Sequence, residues 1–175
     1  MHRVANYAVE IYDRWAFNHN IHRHEREKFR DALKIAAMLH DVGKIGISDT
    51  ILKKPGKLTP EEYRIMQRHT WRGSKLFLSG NSTVDTMSRD IALRHHENWD
   101  GTGYPGHISE ETGAIEKYNR MHTAAQGLIG EEIPIGARIT SLADVYDALS
   151  CKRVYKEKWT EDKVLGEIRR LRGIK

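Results

Sequence analysis

The sequence predicts an all-α fold, and three observations support that prediction. Nearly every periodic segment of the 175 residues has the spacing of one helical face. No stretch of useful length alternates apolar and polar residues as a half-buried strand does. Helix start and stop residues flank several of the periodic segments. Because the length suits about one domain with a sizeable core, we predict a single helical bundle over residues 1–175.

The first two predicted helices lie before residue 40. One helical face in the first is formed by Val4, Tyr7, Ala8, Ile11 and Tyr12. The apolar face of the second is formed by Phe29, Ala32, Leu33, Ala36, Ala37 and Leu39. This second helix is predicted to carry His40 and Asp41 at its C-terminal end, with Gly43 as the stop.

Four further helices are predicted after a capped start at Thr59. Thr59 is the N-cap, Pro60 takes the first helical position, and Glu62 stands three residues after the cap. That helix is predicted to carry His69 and to break near Gly73. The others span about 84–94, 135–150 and 161–172. Residues 98–106 hold three glycines and a proline and are predicted to form a tight loop, whereas the mostly polar residues 107–132 indicate an inserted surface excursion.

Composition limits the class of protein. The chain is 39% hydrophobic and 30% charged, and its formal net charge of +5 suits either an anionic ligand such as a nucleotide or a solvated basic surface. Cys151 is the single cysteine, so we expect neither a disulfide framework nor a cysteine zinc site. No apolar run approaches 18 residues, no signal-peptide pattern opens the chain, and no recognition helix stands out. We therefore expect a cytoplasmic protein without a membrane segment that does not bind DNA.

Histidine and aspartate pairs are the chemically informative residues. His40-Asp41 and His95-His96 are adjacent pairs, His69 lies between them, and Asp144 and Asp147 follow in an otherwise apolar helix. Such nitrogen and oxygen donors suit two or more divalent metals, although an aspartate can also cap a helix and a histidine can fill a core gap.

Buried carboxylates are costly unless they bind a cation, so Asp144 is a predicted ligand and Asp147 is predicted to lie behind the ligands or face a substrate. Lys44 can face the same cavity as a partner for a phosphate oxygen, or be a solvated lysine. The remaining histidines stand in polar settings and are expected at the surface: His2, His19, His22, His24, His107 and His122.

Several segments together carry a resemblance to a known family. They are AAMLHDVGKIG, ILKKPGKLTPEE, the H-x3-G of His69 and Gly73, HHENWDGTGYP, IPIGARITSLADVYDAL and RVY. With these segments the chain resembles the HD-GYP subgroup of the HD phosphohydrolase superfamily from residue 3 to about residue 163. The resemblance implies an all-helical HD domain that hydrolyses cyclic di-GMP, a bacterial signalling nucleotide, to linear pGpG or to GMP.

The resemblance also implies a site. It predicts two or three iron or manganese ions held by His40, Asp41, His69, His95, His96 and Asp144. Asp41, Lys44 and Asp144 would act in catalysis, with one of the two aspartates taking a proton from the attacking water. The predicted substrate contacts are Lys44, Tyr104, Asp147, Arg153 and Lys156. The loop of Gly103, Tyr104 and Pro105 would shape the pocket and contact a partner protein.

Two other interpretations stay open at this point. The domain can be a signalling module that binds cyclic di-GMP or a partner protein without turnover. It can also be an HD hydrolase for another cyclic dinucleotide, since the loop does not separate one cyclic dinucleotide from another. We further expect the 175 residues to belong to a longer signalling protein whose input domain lies outside them, and a homodimer is compatible with the sequence.

Overall fold

The fold is a bundle of α-helices. The computed structural model describes residues 2–109, 111–114, 127–151 and 159–175. Within them the helices are α1 (His2–Asn18), α2 (Arg23–Met38), α3 (Asp49–Leu52), α4 (Pro60–Gln67), α5 (His69–Lys75), α6 (Thr83–Arg94), α7 (Ile135–Ser150) and α8 (Glu161–Arg170). Two short 3₁₀ helices span Val42–Gly46 and Gly130–Glu132. These ranges contain no β-strand, so the all-α prediction is confirmed.

The core lies where α1, α2, α6 and α7 pack together. Helix α1 contacts α2 and α7, while α6 contacts α2, α5 and α7. Small side chains dominate the centre: Ala8, Ala36 and Ala137 are completely buried, which lets the helix backbones approach closely. Tyr12 of α1 stacks on Phe29 of α2 with ring centroids 4.5 Å apart. No helix in the described ranges is both long and apolar enough to cross a membrane.

Capping boxes fix the starts of α4 and α6. The Thr59 hydroxyl accepts a hydrogen bond from the Glu62 backbone N–H, and the Glu62 carboxylate accepts one from Thr59 N–H. Ser82 and Asp85 form the same reciprocal pair before α6. Each cap satisfies backbone donors that have no partner within the helix and contributes about 1 kcal/mol. The predicted start at Thr59 is therefore confirmed.

The prediction of one helix from Thr59 to Gly73 was wrong. Helix α4 ends at Gln67 and α5 begins at His69. The His69 ring donates to the Met66 carbonyl at 2.7 Å, and the Thr70 hydroxyl donates to the Gln67 carbonyl at 3.0 Å. Because these side chains occupy carbonyls of the last turn of α4, they compete with continuation of the helix. The break turns α5 onto α6 and brings Gly73 against the 3₁₀ helix Val42–Gly46.

Candidate metal centre

Five of the six predicted ligands follow the C-terminal ends of three helices, and the sixth, Asp144, lies within α7. Helix α2 ends at Met38, two residues before His40; α4 ends at Gln67, two residues before His69; and α6 ends at Arg94, directly before His95. His40 and Asp41 thus lie in the turn between α2 and the 3₁₀ helix, just beyond the observed end of α2, whereas the sequence placed them at the C-terminal end of the helix itself. Because α6 packs on both α2 and α5, the three helix ends are brought together.

Four of the predicted ligands form one group. Donor atoms of Asp41, His69, His95 and His96 all lie within 4.8 Å of one another. Asp41 Oδ1 is 3.4 Å from His69 Nε2 and 3.7 Å from His95 Nε2. His40 Nε2 lies beside this group, 3.4 Å from Asp41 Oδ2 and 3.9 Å from Asp144 Oδ1. The structure therefore brings all six predicted ligands into one region, with Asp144 at its edge and one-third exposed.

Backbone carbonyls orient three of the imidazole rings. The Nδ1 atoms of His40, His69 and His95 lie 2.7, 2.7 and 2.9 Å from the carbonyl oxygens of Ala37, Met66 and Ile91. A carbonyl oxygen only accepts hydrogen bonds, so each Nδ1 must carry the proton and donate it. In the neutral ring, Nε2 is left with its lone pair toward the cluster. Protein metal sites commonly fix histidine ligands in this way.

The donor atoms at the centre lack protein partners. Asp41 Oδ1, His69 Nε2 and His95 Nε2 are buried and have no hydrogen bond. A buried polar atom left unsatisfied costs about 1–3 kcal/mol, and three such atoms converge at one point. A divalent cation would satisfy all three at once, and a mixed imidazole and carboxylate set suits iron, manganese or zinc. The residues present therefore fit a divalent metal.

The electrostatics of the group favour the ligating forms of Asp41, His69, His95 and His96. Burial lowers the pKa of His69 to about 4, and burial likewise lowers the pKa of His95 and of His96. These rings are neutral at physiological pH. Although burial raises the pKa of Asp41, the hydrogen bond and charge of His40 and the charge of Lys44 bring that pKa far below its usual range. Burial lowers the pKa of His40, but the hydrogen bond and charge of Asp41 outweigh it and raise the pKa overall.

Lys44 and Tyr104 border the cluster on two sides. Lys44 Nζ lies 2.5 Å from Asp41 Oδ2, which places the ammonium beside the cluster. The Tyr104 ring stacks on His96 with centroids 4.7 Å apart and an interplanar angle of 25°, and it meets Tyr63 edge-on. Burial raises the pKa of the Tyr104 hydroxyl, which therefore stays protonated.

Of the other three predicted substrate contacts, Asp147 lies in the part of the chain that the structure describes. The Asp147 carboxylate accepts hydrogen bonds from Arg3 Nε at 2.7 Å and from Arg3 Nη2 at 3.3 Å, which occupies both of its oxygens. Arg153 and Lys156 lie outside the described residues. Of the histidines expected at the surface, His2, His19, His22 and His24 are exposed, His107 is half-buried, and His122 lies outside the described residues.

Two residues near the site were not predicted from the sequence. The side chain of Glu97, directly after His95-His96, is fully buried and hydrogen-bonded on both oxygens. Lys175 is near Asp144: burial lowers the pKa of Lys175, while the charge of Asp144 raises it. A glutamate adjoining two histidines and a glycine-rich loop was a usable signal for the first. The position of Lys175 depends on how the last residues fold back, which spacing alone does not reveal.

The fold and the cluster define a helical protein with a mixed histidine and aspartate cluster that fits a divalent metal. The HD domain family profile matches residues 1–149, and the chain belongs to this family. It is 40% identical over 147 residues to the 3'3'-cGAMP-specific phosphodiesterase 2 of Vibrio cholerae, a match covering 84% of this chain and 24% of that protein.

Two further relatives have similar identity. The cyclic di-GMP phosphodiesterase response regulator RpfG of Xanthomonas campestris is 43% identical over 141 residues, covering 81% of this chain and 32% of that protein. The cyclic di-GMP phosphodiesterase of Thermotoga maritima is 41% identical over 147 residues, covering 84% of this chain and 34% of that protein. The chain thus spans about a quarter to a third of the length of these relatives. The resemblance to the HD-GYP subgroup is confirmed.

Proposed function

We propose that this domain is a metal-dependent phosphodiesterase that hydrolyses cyclic di-GMP to linear pGpG or to GMP. The observation that carries the proposal is the convergence of three buried donor atoms without partners, on Asp41, His69 and His95, beside the ammonium of Lys44. Two of the relatives described above are named as cyclic di-GMP phosphodiesterases, which supports the substrate.

The metal site would be formed by His40, Asp41, His69, His95, His96 and Asp144. Two or three divalent ions, iron or manganese, would supply a nucleophile at neutral pH by lowering the pKa of water and would neutralise charge on the scissile phosphate. The carbonyl bonds to the histidine Nδ1 atoms hold the rings in the ligating tautomer, so little reorganisation accompanies turnover.

Asp41, Asp144 and Lys44 would each have a different role in the reaction. Asp41, whose pKa is held far below its usual range, stays an anionic ligand throughout. Asp144, one-third exposed beside His40, is better suited to take a proton from the attacking water. The Lys44 ammonium would contact a phosphate oxygen and offset the negative charge that develops on it in the transition state.

Substrate would be held by groups around this centre. The protonated Tyr104 hydroxyl can donate a hydrogen bond at the edge of the cluster. Asp147 would act by holding the Arg3 guanidinium in place. Arg153 and Lys156 would add cationic contacts to the phosphates. We expect the domain to act in the cytoplasm, with an input domain outside these residues, a partner protein at the loop of Tyr104, and the option of a homodimer.

A second candidate is hydrolysis of a different cyclic dinucleotide. The observation that favours it is the similarity to a relative named as specific for 3'3'-cGAMP, at 40% identity over 84% of this chain. Both substrates carry two phosphodiesters in a ring, so the same centre would serve either. The difference would lie in contacts to the bases.

The decisive experiment measures metal content and turnover on the same sample. Protein purified under reducing conditions is analysed for iron and manganese, then incubated separately with cyclic di-GMP and with 3'3'-cGAMP, and the linear products are quantified by chromatography. Two or more metal ions per chain with a linear cyclic di-GMP product support the proposal. Metal without turnover favours a binding module, and turnover of 3'3'-cGAMP alone favours the second candidate. Absence of metal refutes the site.

A further inference from the structure

Glu97 is a buried carboxylate that forms hydrogen bonds with two loops, at Gly106 and at Leu128. Its side chain has no exposed surface. Oε1 accepts hydrogen bonds from the Gly106 N–H at 2.8 Å and from Arg94 Nη1 at 3.1 Å, and Oε2 accepts one from the Leu128 N–H at 3.2 Å. Burying a charge is costly unless it is paired and hydrogen-bonded, so these three donors hold Glu97 and are held by it.

Arg94 and Glu97 together bind Gly106, and this pair of residues is called the clamp. Its Nη1 donates to the Gly106 carbonyl at 2.6 Å as well as to Glu97. Both backbone polar groups of Gly106 are therefore bound by one ion pair at the end of α6. The two residues of that pair flank His95 and His96, so the clamp and the two imidazoles share a single turn of chain.

The clamped loop carries Tyr104. The Tyr104 N–H donates to the His96 carbonyl at 3.1 Å, and a side chain at Gly103 would come within 2.5 Å of that carbonyl and 2.6 Å of the Glu97 carbonyl carbon. This close approach is open only to glycine. It sets the Tyr104 ring flat against His96, and its edge toward His69 at a centroid distance of 6.4 Å.

The same carboxylate also contacts the C-terminal part of residues 107–132. Besides the Leu128 bond, the Gly127 N–H donates to the Gly101 carbonyl at 3.0 Å and the Gly130 N–H to the Trp99 carbonyl at 2.9 Å. A side chain at Gly127 would lie 2.7 Å from Glu97 Oε2. Residues 98–106 and 127–130 are thus fastened to each other, with Glu97 between them.

We propose that Glu97 is a positioning residue that holds Tyr104 against His96 and links residues 127–130 to the metal centre. It acts through the loop and touches neither metal nor substrate. Its effect on turnover rests on the function proposed above, whereas its effect on the loop does not. Whatever moves residues 127–130 would then move Tyr104 as well.

The test compares Glu97→Gln with Glu132→Gln. Glu132 is an exposed carboxylate that accepts the Ile129 N–H at 2.8 Å, and so is a matched control in the same segment. Hydrogen exchange by mass spectrometry should show about tenfold faster exchange at residues 98–106 and 127–130 in Glu97→Gln, with α1 and α2 unchanged. Exchange that stays at the wild-type rate in those loops, or that rises throughout the chain, overturns the proposal.

Kinetics supply an independent arm. For the substrate that the wild type hydrolyses, Glu97→Gln should lower kcat/KM by about tenfold at unchanged metal content. In a Tyr104→Ala background, the same change should alter kcat/KM by less than about twofold, because its effect passes through Tyr104. If the losses of kcat/KM caused by Glu97→Gln and by Tyr104→Ala are fully additive, the effect of Glu97 does not pass through Tyr104. If Glu97→Gln fails to fold, Arg94→Gln, which removes one donor, must show the same loop-confined exchange for the proposal to stand.

A wild-type protein without activity leaves the two proposals separable. Failure to hydrolyse either dinucleotide counts against the proposed function, while the exchange comparison still decides whether Glu97 fastens the loops. Conversely, if the wild type is active but the loops of Glu97→Gln exchange at the wild-type rate, the proposed phosphodiesterase function stands. The proposed role of Glu97 is then refuted.

Discussion

Replacing Gly43 with alanine tests how closely the turn that carries Asp41 must approach α5. A methyl group at this position would contact the His69 carbonyl and lie 2.5 Å from the Gly73 nitrogen and 2.9 Å from the Gly73 Cα. These atoms are backbone, so no side-chain rotation relieves the contact. The 3₁₀ helix Val42–Gly46 and α5 would have to separate by roughly 1.5 Å to restore normal contact distances.

The magnitude follows from the kind of contact. Inserting a methyl group into a well-packed core costs about 1–3 kcal/mol, and we expect Gly43→Ala at the upper end because helix backbones must move. For a domain of this size, a loss of that order lowers Tm by about 6–12 °C. The displacement also separates Asp41 from His69, whose Oδ1 and Nε2 atoms are now 3.4 Å apart, so metal affinity should fall as well.

The assay is thermal unfolding of the metal-free protein by circular dichroism, followed by calorimetric titration with Mn²⁺. Gly166→Ala is the matched control, because a methyl group on this residue of α8 meets nothing within 4 Å. Alanine is the better helix former by about 1 kcal/mol, so this variant should gain about 2–4 °C with Mn²⁺ binding unchanged. A Gly43→Ala protein with wild-type Tm and Mn²⁺ affinity would refute the close-approach argument.

Three more predictions concern the charged groups. Asp41→Ala should lose at least one metal equivalent and about 100-fold or more in turnover, measured by elemental analysis and product chromatography; retained turnover removes Asp41 from the site. Asp147→Asn should lower the unfolding free energy at pH 7 by about 0.2–1 kcal/mol, since Arg3 is largely exposed. Because Arg3 lowers the pKa of Asp147 below its ordinary value of 3.8, the difference from wild type should shrink in urea titrations as pH falls from 3.8 and vanish once Asp147 is protonated in the folded protein, and a difference that does not shrink contradicts the ion pair. Burial lowers the pKa of His69 from 6.5 to about 4, so protonation favours the unfolded chain and the metal-free protein should lose stability as pH falls through that window. His69→Gln should flatten this dependence in the same titration, and an equally steep slope argues against burial of a neutral ring.

The periodicity of apolar residues predicted the bundle well because burial of one helical face is a local property of the sequence. Helix α7 has the predicted bounds, Ile135–Ser150. The break at Arg68 was missed because neither glycine nor proline marks it. It arises where the side chains of His69 and Thr70 donate hydrogen bonds to the carbonyls of Met66 and Gln67.

In the candidate site, too, the identity of several residues could be predicted from the sequence, whereas contacts between residues distant in sequence could not. Residue type singled out Asp41 and the His95-His96 pair, the family resemblance added His69 to the predicted ligands, and these residues converge. The partner of Asp147 could not be predicted, since Arg3 lies 144 residues away in sequence. Glu97 was passed over because a glutamate among polar loop residues resembles a solvated one, and only the folded loop shows that three donors surround it.

The convergence of three helix ends has a consequence for the order of binding. Each C-terminus of an α-helix carries roughly half a negative elementary charge, and the ends of α2, α4 and α6 add this to the full charge of Asp41. The Lys44 ammonium offsets part of this charge, and the metal-free centre favours cations over anions. A phosphodiester would bind more tightly once cations have neutralised the local negative charge. Metal loading would thus favour ligand entry, and cyclic di-GMP should show higher affinity for this centre when the metal is present.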